Sequence, residues 1–294
     1  MSNTPTSIVA IRPFTVLFFV LLAVVSAIVF LWPLFISPAS TLADDAAAPV
    51  YFAVIIPLVI AAIVAEINED GMDVRALAML GVLSAVVAAV RPLGAGAAGF
   101  EAVFFVIILG GRAYGPGFGF LLGNIGLFAS ALLTAGIGPW LPYQMLAAGW
   151  VGLGAGLLPR WASLERVETS PSRWRKPGGI GEVTLIVVYA VVAALAYGMV
   201  MNLSFWPYRL GITTDLSFVP GAPVLENLHT FLIYSLTTSL AWDVGRAVFT
   251  ALLLILTTTP VLGALRRAGR KAAFGTARGF AEADATPGQA RTRS

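Results

Sequence analysis

Long apolar runs alternate along this chain with short stretches of glycine, proline and charge, and most of the runs carry no polar face of their own. A helix that is apolar all round is built for apolar surroundings, and about 20 such residues cross about 30 Å of hydrocarbon. Hydropathy places about eight candidate spans, over 14–35, 50–66, 74–91, 99–112, 116–134, 141–159, 181–203 and 242–265. The fourth is short, which predicts tilt or shielding by its neighbours. The stretch "ENLHTFLIYSLTTSLA", 226–241, is predicted as a helix lying across the outer face and not as a ninth span. Residues 14–35 are too long for a signal peptide and lack a small-residue cleavage site, so they read as a retained span. The segment after Lys271 is small, polar and Pro/Gly-containing, which predicts a disordered tail.

Composition supports this pattern. The 294 residues are 58% hydrophobic and 11% charged, against about 25% charged in a soluble domain. No soluble fold of this length has an interior large enough for so much apolar surface, so the expected class is an all-α polytopic membrane protein. With no cysteine there is no disulfide or thiolate chemistry, and a single histidine, His229, argues against a zinc site. Fifteen of the eighteen Lys and Arg residues fall on one side of the map when both termini are placed inside; Arg91, Arg209 and Arg246 fall on the other. That bias obeys the positive-inside rule and predicts a multi-pass protein of the cell membrane with cytoplasmic termini. The net charge of +3 gives no sign of a nucleic-acid partner.

On this map the unusual segments face outward. The corner "TAGIGPWLPYQM", 134–145, packs two glycines, two prolines and Trp140 between spans five and six. It reads either as a tight hairpin with an interfacial tryptophan or as a rigid loop that helps line a ligand pocket, with Gln144 beside it. The loop "RPLGAGAAGFE", 91–101, is bounded by Arg91 and Glu101. A charge at membrane depth costs about 2.5–3.5 kcal/mol or more. Arg91 snorkels or serves a site, and Glu101 pairs with Arg91 or Arg246 or meets a ligand. The segment 204–243 is too long and too aromatic for a simple connection. Asp243 is expected as the N-cap of the last span with Arg246 one turn on; Trp206, Tyr208, Trp242 and Arg246 are the alternative pocket lining. Gly115, Gly119 and Gly123 recur every four residues, a spacing that lets helix backbones approach closely. Asn124, the one amide of that span, bonds a neighbouring helix or a ligand. Gly81, Ala85 and Ala89 form a smooth stripe on span three.

Other chemistry is missing from the sequence. It holds no Walker A loop, nucleophile elbow or acidic metal cluster, and acidic residues of the core spans (Glu101, Glu182, Asp243) lie near span ends. No catalytic residue, metal or resident cofactor is expected. A membrane enzyme acting on a lipid or isoprenoid and an ion-coupled secondary transporter are the competing classes.

The segments "GGRAYGPGFGFLLGNIGLFASALLTAGIGPWLPYQMLAAGWVGLGAGLLP" (110–159) and "TTSLAWDVGRAVFTALLLILTTTPVLGALRR" (237–267) resemble the substrate-binding S components of energy-coupling factor (ECF) vitamin transporters. The resemblance implies a six-helix substrate-binding core over 74–267, an N-terminal extension of two helices over 1–73, and a cytoplasmic tail over 268–294. It implies capture of a vitamin at the outer face, with cobalamin or another corrinoid as the best match, for uptake driven by a membrane coupling subunit and two cytoplasmic ATPases. Family binding sites lie in the first, third and fifth core loops, here 91–100, 135–141 and 204–241. The family's docking stripe maps onto Gly81, Ala85 and Ala89, although Ala23 and Ala27 share its spacing.

Overall fold

A computed structural model of the chain describes residues 13–35, 74–94, 99–138, 140–159, 179–209 and 214–283, with helical positions also at 54, 56–58 and 61. Among the described residues 88% are helical and none forms a strand. In chain order the helices are α1 (Pro13–Leu31), followed by a 3-10 turn (Trp32–Phe35), α2 (Val74–Gly94), α3 (Val103–Tyr114), α4 (Pro116–Thr134), α5 (Leu141–Leu157), α6 (Ile180–Arg209), α7 (Val224–Thr238) and α8 (Leu240–Ala283). Among the described residues four segments are long and apolar enough to cross a membrane: α2, α4, Ile180–Pro207 of α6 and Leu240–Gly269 of α8. Large apolar side chains such as Val82, Leu133, Val192, Leu252 and Leu256 point outward from them, as lipid-facing residues do. The second expected span, 50–66, lies for the most part outside the described residues.

The core is organised by glycine. Among the described helices α4 and α5 share the most extensive interface, and small residues line it from both sides. A Cβ on Gly119 would fall 2.2 Å from the Gly152 carbonyl oxygen, one on Gly123 2.4 Å from that of Ala148, and one on Gly156 2.4 Å from the Pro116 nitrogen. The expected close packing of Gly119 and Gly123 is therefore real, and it is met by a second four-residue series, 148, 152 and 156. Gly111 of α3 enters the same contact, with its missing Cβ 2.2 Å from the Gly152 oxygen. Small residues suit such crossings because dispersion between touching backbones replaces the hydrophobic drive that lipid removes.

Around this seam α3 is shielded as its shortness predicted, with nearly every residue buried. Gly115, at φ 107°, separates it from α4, where Pro116 starts the new helix. α1 belongs to the same bundle. Phe19 packs edge-on against Phe120 and Trp150, Phe30 lies against Tyr143, and Trp150 donates from Nε1 to Ser26 Oγ at 3.1 Å.

Three expectations change on inspection. The reversal at 134–140 turns on Ala135, which takes a left-handed φ of 52°, while Gly136 and Gly138 keep ordinary values. Gly138 instead makes room for the Trp140 ring, which a Cβ would meet at 2.4 Å. α8 starts at Leu240, ahead of Asp243, so Asp243 is not its N-cap; its amide donates to the Ser239 carbonyl at 3.0 Å. α8 also continues to Ala283, into the segment expected to be disordered. Alanine, arginine and lysine dominate its extension and are strong helix formers. α7, with 15 residues, spans only about 22 Å at 1.5 Å per residue, too little for a crossing.

Candidate functional site

The end of the bundle where α2 finishes and α3 and α8 begin gathers most of the polar residues singled out from the sequence. Gly99 makes the gathering possible. It has φ 81°, and its missing Cβ would lie 2.1 Å from the Trp242 carbonyl oxygen, so the chain there rests directly on the first turn of α8. Two residues later Glu101 meets Arg246, with Nε to Oε2 at 3.2 Å and Nη2 to Oε1 at 3.4 Å. Arg246 also donates from Nη1 to Asp243 Oδ1 at 2.7 Å, within its own helix. Below it the Tyr197 ring lies 5.2 Å from the guanidinium carbon, a cation–π contact. Gly198 lets α6 approach the Asp243 carboxylate, since a Cβ would come within 2.0 Å of Oδ1. Of the two partners open to Glu101, Arg246 is the one observed.

Arg91 sits in the last turn of α2 and reaches sideways. Its Nη2 donates to Gln144 Oε1 at 2.7 Å, in the first turn of α5 and just past the Trp140 corner. Its Nη1 is buried and has no hydrogen-bond partner. Arg91 forms no ion pair among the described residues.

The other candidates separate from this group. Asn124 is fully buried, and its Nδ2 donates to Phe120 O of its own helix at 2.8 Å; Oδ1 has no partner. It therefore does not form the expected bond to a neighbouring helix, but packs against Gly149 of α5 instead. Trp206 is fully buried, donates to Leu216 O at 2.8 Å and packs against Phe218, Phe231 and Tyr234. It anchors the segment that covers α6 and does not line an open surface. Trp140 and Trp242 are both 44% exposed. Tyr208 falls in the last turn of α6, with its side chain outside the described residues. Gly81, Ala85 and Ala89 are exposed, as are Ala23 and Ala27; no described element of the chain covers either stripe.

Three contributors were not foreseen. Tyr197 looked like one more aromatic in an apolar run. Asn227 clamps the loop before α7, accepting from Val219 N at 3.2 Å and donating to Val219 O at 2.8 Å, a pairing that its position five residues into a loop-to-helix transition hints at weakly. At the opposite end Glu182 lies between Arg112 (Nε to Oε1, 3.2 Å) and Arg266 (Nη1 to Oε2, 3.0 Å). The clue was that Glu182 is the acidic residue at the start of the apolar run 181–203. Among the described residues no group of three or more His, Asp or Glu side chains is placed to hold a metal. Compared with protein-family models, curated proteins and solved structures, the chain finds no match.

Proposed function

We propose that this chain is the substrate-capturing membrane subunit of an ECF-type importer. It binds a vitamin or related micronutrient at the Arg246 end, which faces outward, and depends on a separate coupling subunit and two ATPases for transport. The observation that carries this reading is the convergence of Arg91, Glu101, Gln144, Asp243 and Arg246 at one end of an otherwise apolar bundle, because ionisable groups at such depth are functional candidates by default. Half-exposed aromatic side chains, Phe100, Trp140 and Trp242, belong to the same end. Bulky ligands are commonly held by apolar walls and a few fixed polar groups, which favours a corrinoid as the first substrate to try.

The carboxylates favour binding over catalysis. Glu101 and Asp243 are both engaged by Arg246, which leaves neither as a ready general base for a lipid-modifying enzyme or as a proton carrier for an ion-coupled transporter. The uncovered stripe on α2 is the proposed docking surface for the coupling subunit.

The test is thermal unfolding of the purified, detergent-solubilised protein against a vitamin panel that includes cobalamin and cobinamide. A ligand that binds only the folded state stabilises it by about 2.7 kcal/mol at a hundredfold excess over Kd. A corrinoid-dependent rise is expected. A rise with another vitamin would keep the capture role and replace the substrate. No rise with any would remove the capture role.

A further inference from the structure

We infer that Arg91 is the anion-recognising group of the proposed binding site, completed by a carboxylate or phosphate oxygen of a small ligand; this rests on the capture role proposed above. The charge arrangement at the Arg246 end carries the argument. Two carboxylates and two arginines gather there, yet both carboxylates go to Arg246. Arg91 receives only the neutral Gln144 side chain. A part-buried cation with no carboxylate partner among the described residues lacks the compensation that an ion pair gives.

The alternative is that Arg91 merely snorkels. A snorkelling arginine lays its stem on apolar surface and puts its head in water. Arg91 instead turns its head toward α5, and its Nη1 is shut away from solvent with no acceptor. A buried N–H left unmet is destabilising, and more so when it is charged. An oxygen anion supplied by a ligand would meet that N–H and neutralise the charge together. The planar fork of a guanidinium suits the two oxygens of a carboxylate or phosphate.

Gln144 reinforces the assignment. Accepting from Arg91 through Oε1 fixes the amide so that its Nε2 donors point elsewhere, and they have no partner among the described residues. The pair thus presents only donors to an incoming group. The corner that carries Trp140, one of the segments expected to form the site, leads directly into the first turn of α5 that carries Gln144.

The experiment uses the full chain in a neutral detergent. Thermal midpoints are measured with inorganic phosphate and with acetate against chloride at matched ionic strength, for the wild type, Arg91→Gln and Arg91→Lys. Phosphate or acetate should raise the wild-type midpoint, and Arg91→Gln should weaken the apparent affinity by at least about tenfold. Arg91→Lys, which keeps the charge and loses the fork, should fall between. Without any anion Arg91→Gln should unfold at or above the wild-type midpoint, because a cation without a counter-ion has been removed. A lower midpoint, or an unchanged anion response, overturns the assignment. Nanodiscs with and without phosphatidylglycerol separate the other source of phosphate. If Arg91→Gln abolishes a lipid effect alone, the site belongs to a headgroup and the small-ligand assignment fails. The capture role fails separately: a vitamin that stabilises the wild type and Arg91→Gln equally keeps that role and removes Arg91 from it.

Discussion

The two ends of the bundle place arginine in apolar surroundings and treat it in opposite ways. At one end Glu182, 1% exposed, is shared by Arg112 and Arg266. Arg112 also donates from Nη1 to Leu158 O at 2.7 Å and from Nη2 to Pro159 O at 3.2 Å. These carbonyls lie where α5 ends, beyond the reach of helical partners. Tyr114 adds a hydrogen bond to Leu265 O at 2.8 Å, so α3, α5, α6 and α8 are fastened at one point. At the other end there are as many carboxylates as arginines, but Glu101 is 26% exposed and Arg91 meets no carboxylate among the described residues. The end with the poorer charge balance is the better satisfied one. Closure of the hydrogen bonds, more than the count of charges, separates a structural fastener from a place with capacity for a ligand.

The sharpest way to break this comparison is Glu182→Gln. It leaves two arginines facing each other with no anion between them, which should cost about 3–5 kcal/mol. Little folded protein should survive solubilisation, as read by size-exclusion recovery and thermal unfolding. Recovery equal to wild type would mean that the closed network fastens nothing.

Arg246→Gln should cost less, about 1–3 kcal/mol, because one of the two carboxylates it abandons can hydrate. Glu101 reaches solvent; Asp243, beside Gly198, does not. Vitamin-dependent stabilisation should disappear with it. A drop in midpoint as large as that of Glu182→Gln would show the two ends to be equally structural.

Asn227→Ala should act more locally. It strands the N–H and carbonyl of Val219, at about 1–3 kcal/mol, but only within the segment before α7. Amide exchange should accelerate over 214–223 while the α4–α5 seam keeps its protection. Acceleration throughout the bundle would make this segment part of the global fold and not a separable cover.

Much of this was legible along the chain. Glycines four residues apart announced the α4–α5 contact because backbones can touch only where Cβ atoms are missing. The Glu101–Arg246 pair was among the alternatives because charges are so scarce that few partners exist. The start of α8 was not legible. The break falls at Ser239, with φ −121°, itself a cap-type residue, and the acidic Asp243 four residues on is an equally good cap by type, so side-chain type alone did not choose between them. Nor could aromatic content say which way a ring points: Trp206 is buried under its own segment while Trp242 is half exposed. Tyr197 meets Arg246 across a long stretch of intervening chain, and no local pattern records such a contact. The closed network around Glu182 escaped notice for the same reason, since its three charges come from three separate helices.

The smallest expected effect on stability belongs to Trp140→Ala. The ring is 44% exposed and packs over Gly138, so its loss uncovers little core. Surface substitutions of this kind shift stability by about 0.5 kcal/mol or less. The turn should persist, because it is held by the Gly136 amide bonded to Ala131 O at 2.9 Å and the Leu141 amide to Gly138 O at 3.0 Å, which use no part of the indole. Binding is a different matter. If the corner lines the site, removing a rigid aromatic wall beside Gln144 should weaken vitamin-dependent stabilisation while the ligand-free midpoint holds. Of the four substitutions it is the one whose effect should appear in binding alone. A fall in the ligand-free midpoint with no change in binding would make the corner a plain hairpin, and the contrast between a closed end and an open one would then rest on Arg91 and Arg246.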